Sequence, residues 1–106
     1  MQMLINGKEY GFFYDVAAKC DYEDILVKNP DMGMSRANVK LACIMNREYN
    51  RANGIKDPAL KEDEIMHLPA RVYKELEDVI RAQIAIDTEV TVETAEGKGK
   101  AAGKEK

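Results

Sequence analysis

Acidic side chains make up the densest clusters of potentially reactive residues in this sequence. They form two sets, Asp21, Glu23 and Asp24 near the N-terminus and Glu62, Asp63 and Glu64 further along the chain. Acid–base catalysis needs two carboxylates that converge on one cleft. Neighbouring residues of a helix point in different directions, so each set is interpreted as a solvated stretch of helix.

The other residue types that catalyse reactions or bind metals are isolated. His67 is the only histidine, and no cysteine is adjacent to it in sequence, so a metal site would need distant carboxylates. Ser35 is the only serine, and its neighbours favour a helix cap over a nucleophile. From these residues we expect a protein that is not an enzyme and that binds no metal and no cofactor.

The two cysteines, Cys20 and Cys43, lie in predicted helices and do not have C-x-x-C spacing. They are interpreted as small buried apolar residues in a reducing cytoplasm, and a disulfide is the less favoured alternative. No apolar run approaches the ~20 residues that span a bilayer, and the N-terminus lacks the pattern of a signal peptide. We therefore expect a cytoplasmic protein without a membrane partner.

Charge is nearly balanced along the chain. The net charge is −3, with 14 acidic and 12 basic residues in positions 1–86 and five acidic and four basic residues in positions 87–106. Neither part is a basic surface that attracts phosphates, so nucleic acid is not an expected partner. Residues 87–106 have no large apolar residue after Val92 and predict a flexible low-complexity tail. Disorder is expected from Glu93 onward, and residues 89–92 have the composition of a short strand.

Alternating apolar residues predict a β-hairpin at the N-terminus. Met3 and Ile5 alternate with other positions, and Asn6-Gly7 follows. Both residues of this pair accept the positive φ of a tight two-residue turn. Gly11 in the second strand predicts a bulge or a twist. A lone hairpin is marginally stable, so its apolar face must rest on helices.

Apolar residues at helical spacing follow the hairpin. Asp15 is predicted to cap the first helical region, which ends at Asn29-Pro30 and is either one bent helix or two short ones. Ser35 is predicted to cap a helix over residues 36–51. Residues 60–68 predict a short helix with an acidic first turn, and Pro69 begins the last helix. On the exposed side of that helix we expect two ion pairs, Lys74 with Asp78 and Glu77 with Arg81.

Together these patterns predict an α+β fold that is mainly α. Residues 1–86 form a hairpin packed on three to four helices, and residues 87–106 form the tail. The predicted core consists of apolar residues that repeat on one side of each element: Ile5, Phe12, Val16, Ile25, Leu41, Met45, Leu68, Leu76, Val79 and Ile80.

Met32 and Met34 flank Gly33 in the loop before the second long helix, and they are the candidate partner-binding residues. Methionine side chains adapt to irregular apolar surfaces. The alternative is that both fold over the hairpin as part of the core. The apolar stripe of the last helix is interpreted mainly as core, and self-association through it is a further expectation.

Two segments, INGKEYGFF and EDEIMHLPARVYKELEDVIRAQ, resemble the phage tail assembly chaperones of siphophages and prophages of Gram-positive bacteria. In that family a short hairpin precedes a bundle of helices, and a Leu-Pro turn leads into the last helix. The resemblance covers most of residues 3–86. It implies a non-enzymatic protein that binds the long, apolar, helical tape-measure protein and keeps it soluble while tail-tube subunits polymerise around it. It also implies action in the host or bacterial cytoplasm and absence from the mature virion.

Three other classes of protein stay open. The first is a small phage or bacterial adaptor or regulator that acts by protein–protein binding. The second is a DNA-binding regulator, because residues 35–49 have the length of one helix of a helix-turn-helix, although the acidic balance disfavours it. The third is an enzyme, which would need a convergent polar pocket that the sequence does not predict.

Overall fold

The computed structural model describes residues 2–89, which form an antiparallel hairpin followed by four helices. The strands are β1 (Gln2–Ile5) and β2 (Lys8–Gly11), and the helices are α1 (Val16–Lys28), α2 (Met34–Ala52), α3 (Glu62–Met66) and α4 (Ala70–Thr88). The predicted α+β, mainly α fold is confirmed. The predicted disorder from Glu93, and all but the first residue of the predicted strand over 89–92, lie outside the described residues.

The hairpin turns at Asn6-Gly7, where both residues have positive φ, of 52° and 82°. Its register runs without an inserted residue, from Gln2 opposite Gly11 to Ile5 opposite Lys8. Of the two features predicted at Gly11, a bulge or a twist, the bulge is therefore wrong. Glycine is required there for another reason, because a Cβ atom would overlap the ring of Tyr49 on α2. The inner face of the hairpin thus rests on α2.

Helix α1 is a single helix that packs against α2. As predicted, Asp15 caps it, and its carboxylate accepts the N–H of Ala18 at 2.9 Å. Ala18 is the fully buried residue of this helix. Val16 is 75% exposed, so its predicted place in the core is wrong. Cys20 is also exposed, and both residues lie two positions from Ala18, about 200° around the helix from the buried side.

Helix α2 is the central element and contributes more buried side chains than any other element among residues 2–89. It begins at Met34, with Gly33 as N-cap and no side-chain cap. The predicted cap at Ser35 is therefore wrong, because Ser35 lies within the first turn and the helix starts two residues earlier than predicted. Cys43, on α2, is half-buried against the core, and both cysteines are free thiols.

The predicted core is largely confirmed. Six of the predicted residues are buried: Ile5, Phe12, Leu41, Met45, Leu76 and Ile80. Three more are half-buried and pack against them: Ile25, Leu68 and Val79. Val16 is the one predicted core residue that is exposed.

Asn46 is a buried polar residue that joins three segments of the chain. Its side-chain Nδ2 donates to the carbonyl oxygen of Gly11 at 2.8 Å, and its Oδ1 accepts the N–H of Leu60 at 2.7 Å. One side chain therefore ties the end of the hairpin and the segment before α3 to α2. A third tie is the N–H of Phe13, which donates to the carbonyl of Met45 at 3.0 Å.

The end of α4 is fastened to the segment between the hairpin and α1. Asp87 Oδ2 accepts the backbone N–H of Tyr14 at 2.8 Å and the Nε2 of Gln83 at 2.9 Å. Asp87 and Thr88 belong to the helix, so the body extends two residues past the predicted boundary at 86. No helix within residues 2–89 is long and apolar enough to cross a membrane.

Candidate functional site

An apolar groove lies where the first turns of α2 meet the corner between α3 and α4. Its volume is about 430 Å³, and it is open to solvent. We call it the α2–α4 groove. Its lining comes from three stretches of chain: Gly33, Ser35, Arg36 and Val39 at the start of α2, Ile65 and Met66 at the end of α3, and Leu68, Ala70 and Tyr73 at the start of α4.

A tight corner between α3 and α4 positions one wall of the groove. The N–H of Leu68 donates to the carbonyl of Ile65 at 3.0 Å, which ends α3 after a single turn. Pro69 then serves as the N-cap of α4, since it needs no backbone N–H and its φ of −57° suits a helix start. Across the groove, the hydroxyl of Tyr73 donates to the carbonyl of Ser35 at 3.1 Å. This bond joins the start of α4 to the start of α2.

One exposed methionine lines the groove, and a second is adjacent in sequence to two of its lining residues. Met66 lines it from the α3 side and is 43% exposed. Met34 lies between the lining residues Gly33 and Ser35 and is 65% exposed. Met34 is therefore too exposed for the alternative interpretation as part of the core. Exposed thioether side chains next to an apolar concavity suit contact with another apolar surface.

Met32 lies on a neighbouring surface, not in the α2–α4 groove. It is half-buried and lines a shallow concavity, which we call the basic depression. The other lining residues of the basic depression are Lys28, Asn29, Pro30, Asp31, Arg36 and Lys40. Arg36 lines both surfaces, so the structure places the two candidate methionines on adjoining surfaces that share this arginine.

The basic side chains of this region are only partly neutralised. Lys40 Nζ pairs with Glu62 Oε2 at 3.2 Å. Arg36 and Lys28 have no ion pair with any residue between 2 and 89. Arg36, which lines the groove, and Lys28, which lines the basic depression, are therefore unpaired cations within residues 2–89.

The acidic sets identified in the sequence diverge, as predicted. Glu62 faces Lys40, whereas Glu64 accepts the hydroxyl of Tyr10 at 3.1 Å and the N–H of Lys61 at 2.9 Å. In the N-terminal set, Asp21 pairs with Arg47 at 2.7 Å and Glu23 with Lys19 at 2.6 Å. These carboxylates act in separate structural contacts.

Tyr73 is a groove residue whose protonation state follows from its surroundings. Burial, and then a hydrogen bond with Glu77, raises the pKa of Tyr73, so its hydroxyl stays protonated. His67 is exposed at the C-cap of α3 and does not line the groove. In the part of the chain that the structure describes, no three His, Cys, Asp or Glu side chains are grouped to hold a metal ion. The groove therefore offers an apolar contact surface, and the cation Arg36 lies at its edge.

Sequence reasoning missed Met66, although it lies in the EIMHLP segment that precedes α4. The available signal was the position of Met66, an apolar residue close to the predicted end of a helix and just before the Leu68-Pro69 turn. Comparisons with known proteins add no further residue, since no family model, no curated protein and no solved structure matches this chain.

Proposed function

We propose that this protein is a non-enzymatic tail assembly chaperone that binds a tape-measure protein and keeps it soluble during phage tail assembly. The observation that supports this most directly is the solvent-open apolar α2–α4 groove, which Met66 lines, with the exposed Met34 next to its lining residues in sequence. An amphipathic helix can lay its apolar face into such a groove. The identity of the partner comes from the resemblance of the hairpin and α3–α4 segments to the chaperone family.

The charged surroundings of the groove support a role in keeping a partner soluble. A holding chaperone must offer apolar surface without sticking to itself, and charge around that surface provides this property. Arg36 and the Lys40–Glu62 pair lie beside the groove. Under this proposal the protein acts in the host or bacterial cytoplasm and is left out of the virion, with the tail-tube protein as a further partner and self-association as an added property.

A small adaptor or regulator is the second candidate, and the same groove favours it. An adaptor would bind one defined segment of one partner, whereas a chaperone would bind several apolar segments along a long chain. Overlapping peptides that cover a tape-measure protein distinguish the two. Binding to several non-adjacent peptides supports the chaperone, and binding to none of them, with a defined segment of another protein bound instead, supports the adaptor.

Co-expression with a tape-measure fragment tests the proposed function. We expect the wild-type protein to raise the soluble fraction of the fragment, and Met66→Asp to remove most of this effect by placing a charge in the groove. Val16→Asp is the matched control, because Val16 is more exposed, lies on α1 and starts a helix, where an acid is favourable. A fragment that stays insoluble with wild-type protein contradicts the chaperone proposal. If Met66→Asp and Val16→Asp raise the soluble fraction of the fragment equally well, only the assignment of binding to the groove is contradicted.

A further inference from the structure

We infer that the helix that occupies the α2–α4 groove has acidic residues beside its apolar face, and that these residues pair with the basic depression. The inference rests on the proposed binding function and specifies the chemistry of the partner. Its basis is the continuity of an apolar surface with a positively charged one, joined by Arg36.

The charge of the basic depression is the first argument. Its lining includes three basic residues, Lys28, Arg36 and Lys40, and one acid, Asp31. Glu62 neutralises Lys40 from outside the depression. Arg36 and Lys28 keep their charges without an ion pair among residues 2–89. A bound segment with carboxylates at this edge would supply the missing partners, and charge complementarity of this kind selects partners and speeds association.

The helix starts at the groove add charge of the same sign. Helix α2 begins without a side-chain cap or an acidic residue in its first turn, and it carries Arg36 there. Helix α4 also begins without a side-chain cap or an acid in its first turn. Acidic side chains normally stabilise this end of a helix. Two uncompensated helix starts and Arg36 therefore favour an acidic partner over a basic one.

The C-terminal residues of the same chain do not fit the groove. Tyr73 is the groove residue nearest to the end of α4, and 15 residues of helix separate it from Thr88, or about 22 Å. An extended chain covers at most about 3.6 Å per residue, so at least about six residues must follow Thr88 before the chain can reach Tyr73. Val92 is the last large apolar residue and comes four positions after Thr88. Residues 94–106, which are far enough along the given sequence to reach the groove, include no large apolar residue.

A second copy of the chain is also poorly matched to the groove. The outer side of α1 combines exposed Val16 and Val27 with the acid Glu23. Lys19 neutralises Glu23 through a contact of 2.6 Å, which leaves Asp24 as the one acid of this surface without an ion pair among residues 2–89. A separate partner with acidic flanks therefore fits the two adjoining surfaces better.

Two synthetic amphipathic peptides with the same leucine stripe test the inference, one with glutamate and one with lysine at the flanking positions. In fluorescence anisotropy at low salt, we expect the glutamate peptide to bind about tenfold more tightly than the lysine peptide. The preference should shrink at about 0.5 M salt, because salt screens exposed charges. Arg36→Glu should reverse the preference, and a glutamate in the first turn of α2 suits the helix dipole, so the variant should fold.

Arg71→Glu is the matched control for Arg36→Glu. Arg71 is exposed and lies in the first turn of α4, but it points roughly 130° away from the side that carries Ala70 and Tyr73. We expect it to leave the order of the two peptides unchanged. Met66→Ser should weaken both peptides without adding a charge, which reports on the groove independently of its charge preference.

The remaining outcomes separate the inference from the proposed function. If both peptides bind equally, and Met66→Ser weakens them but Arg36→Glu does not, the acidic preference is overturned while the groove remains the binding site. Failure of both peptides to bind overturns both. If the protein binds phosphatidylglycerol vesicles through Arg36 and does not bind the glutamate peptide, the basic depression is a membrane-binding surface and the inference is overturned. The inference would also be overturned if the protein forms a dimer that Met66→Asp dissociates and that the glutamate peptide does not dissociate.

Discussion

The ring of Tyr49 lies directly against Gly11 and leaves no space for a side chain at that position. The hydroxyl of Tyr49 also accepts a hydrogen bond from Gln2 Nε2 at 2.8 Å, across the hairpin from Gly11. One aromatic residue of α2 thus holds both strands by the ends furthest from the turn. This contact fixes the angle at which the hairpin meets the helix.

Gly11→Ala should therefore destabilise the protein. We expect a loss of about 1–3 kcal/mol in the free energy of unfolding, because the new methyl group must displace the ring of Tyr49. Urea denaturation of the single and double variants measures it. In a Tyr49→Ala background the same change should cost much less, since the obstructing ring is gone. Equal costs in the two backgrounds would show that the contact does not restrict Gly11.

Asn46→Ala should be among the most damaging changes to a polar residue. It leaves the carbonyl of Gly11 and the N–H of Leu60 without their partner, and we expect a loss of about 2–4 kcal/mol in chemical denaturation. Asn50→Ala, one turn later on α2, is the control. Its exposed hydrogen bond to the carbonyl of Asp57 is long, at 3.4 Å, so its removal should cost less than about 0.5 kcal/mol. Similar costs for both variants would rule out the bridging role of Asn46.

Asp15 should make stability fall at acid pH. Burial opposes its charged form, but hydrogen bonds from the N–H of Ala18 and the side chain of Arg51 outweigh burial and lower the pKa of Asp15 below its ordinary 3.8. A lowered pKa in the folded state stabilises the protein above pH 3.8, and the contribution is lost as the pH falls through the folded-state pKa.

The variant Asp15→Asn isolates this effect, because asparagine also caps a helix but does not titrate. Unfolding free energies measured between about pH 7 and pH 2 should decline more steeply for the wild type than for Asp15→Asn. Parallel curves would mean that Asp15 has the same pKa in the folded and unfolded states.

The two thiols should differ in reactivity. Burial first, and then the nearby carboxylates of Glu62 and Glu64, raise the pKa of Cys43 to about 12. Cys20 is exposed. At about pH 8, iodoacetamide should modify Cys20 and leave Cys43 largely intact, because the thiolate is the reactive form. Mass spectrometry of Cys20→Ser and Cys43→Ser variants resolves the two sites, and urea should make them equally reactive. Fast modification of Cys43 in the native protein would contradict its burial.

The elements that sequence predicted well are those with a local physical signal. Asn6-Gly7 supplies the two positive φ angles of the turn, and Asp15 supplies a cap, so neither depends on distant contacts. The ion pair of Lys74 with Asp78 is confirmed at 3.5 Å, because helical spacing alone brings them together. The expected pair of Glu77 with Arg81 is wrong. Arg81 pairs with Asp78, and Glu77 accepts a hydrogen bond from Asn38 of α2, a neighbour that helical spacing does not reveal.

The buried polar residues and the groove depend on tertiary structure. Polarity alone predicts an exposed position for Glu48, yet it is 4% exposed and held by the guanidinium groups of Arg47 and Arg51. The groove brings the start of α2 together with residues 65–73, and no periodicity in either segment reports that meeting. Sequence reasoning therefore proposed Met32 and Met34 as one contact patch, which stays a prediction, and it did not identify Met66 of the groove.

The hydrogen bond from Tyr14 to Asp87 spans 73 residues, and this separation has a consequence for the order of folding. The pairing of β1 with β2 and the packing of α1 on α2 close short loops, so they can form while the chain is still being synthesised. The amide of Tyr14 has to wait until the last turn of α4 has been translated. A chain that stops before Asp87 would hold its first four elements together but leave this junction open. Limited proteolysis of such a truncated chain would detect the opening as cleavage near Tyr14.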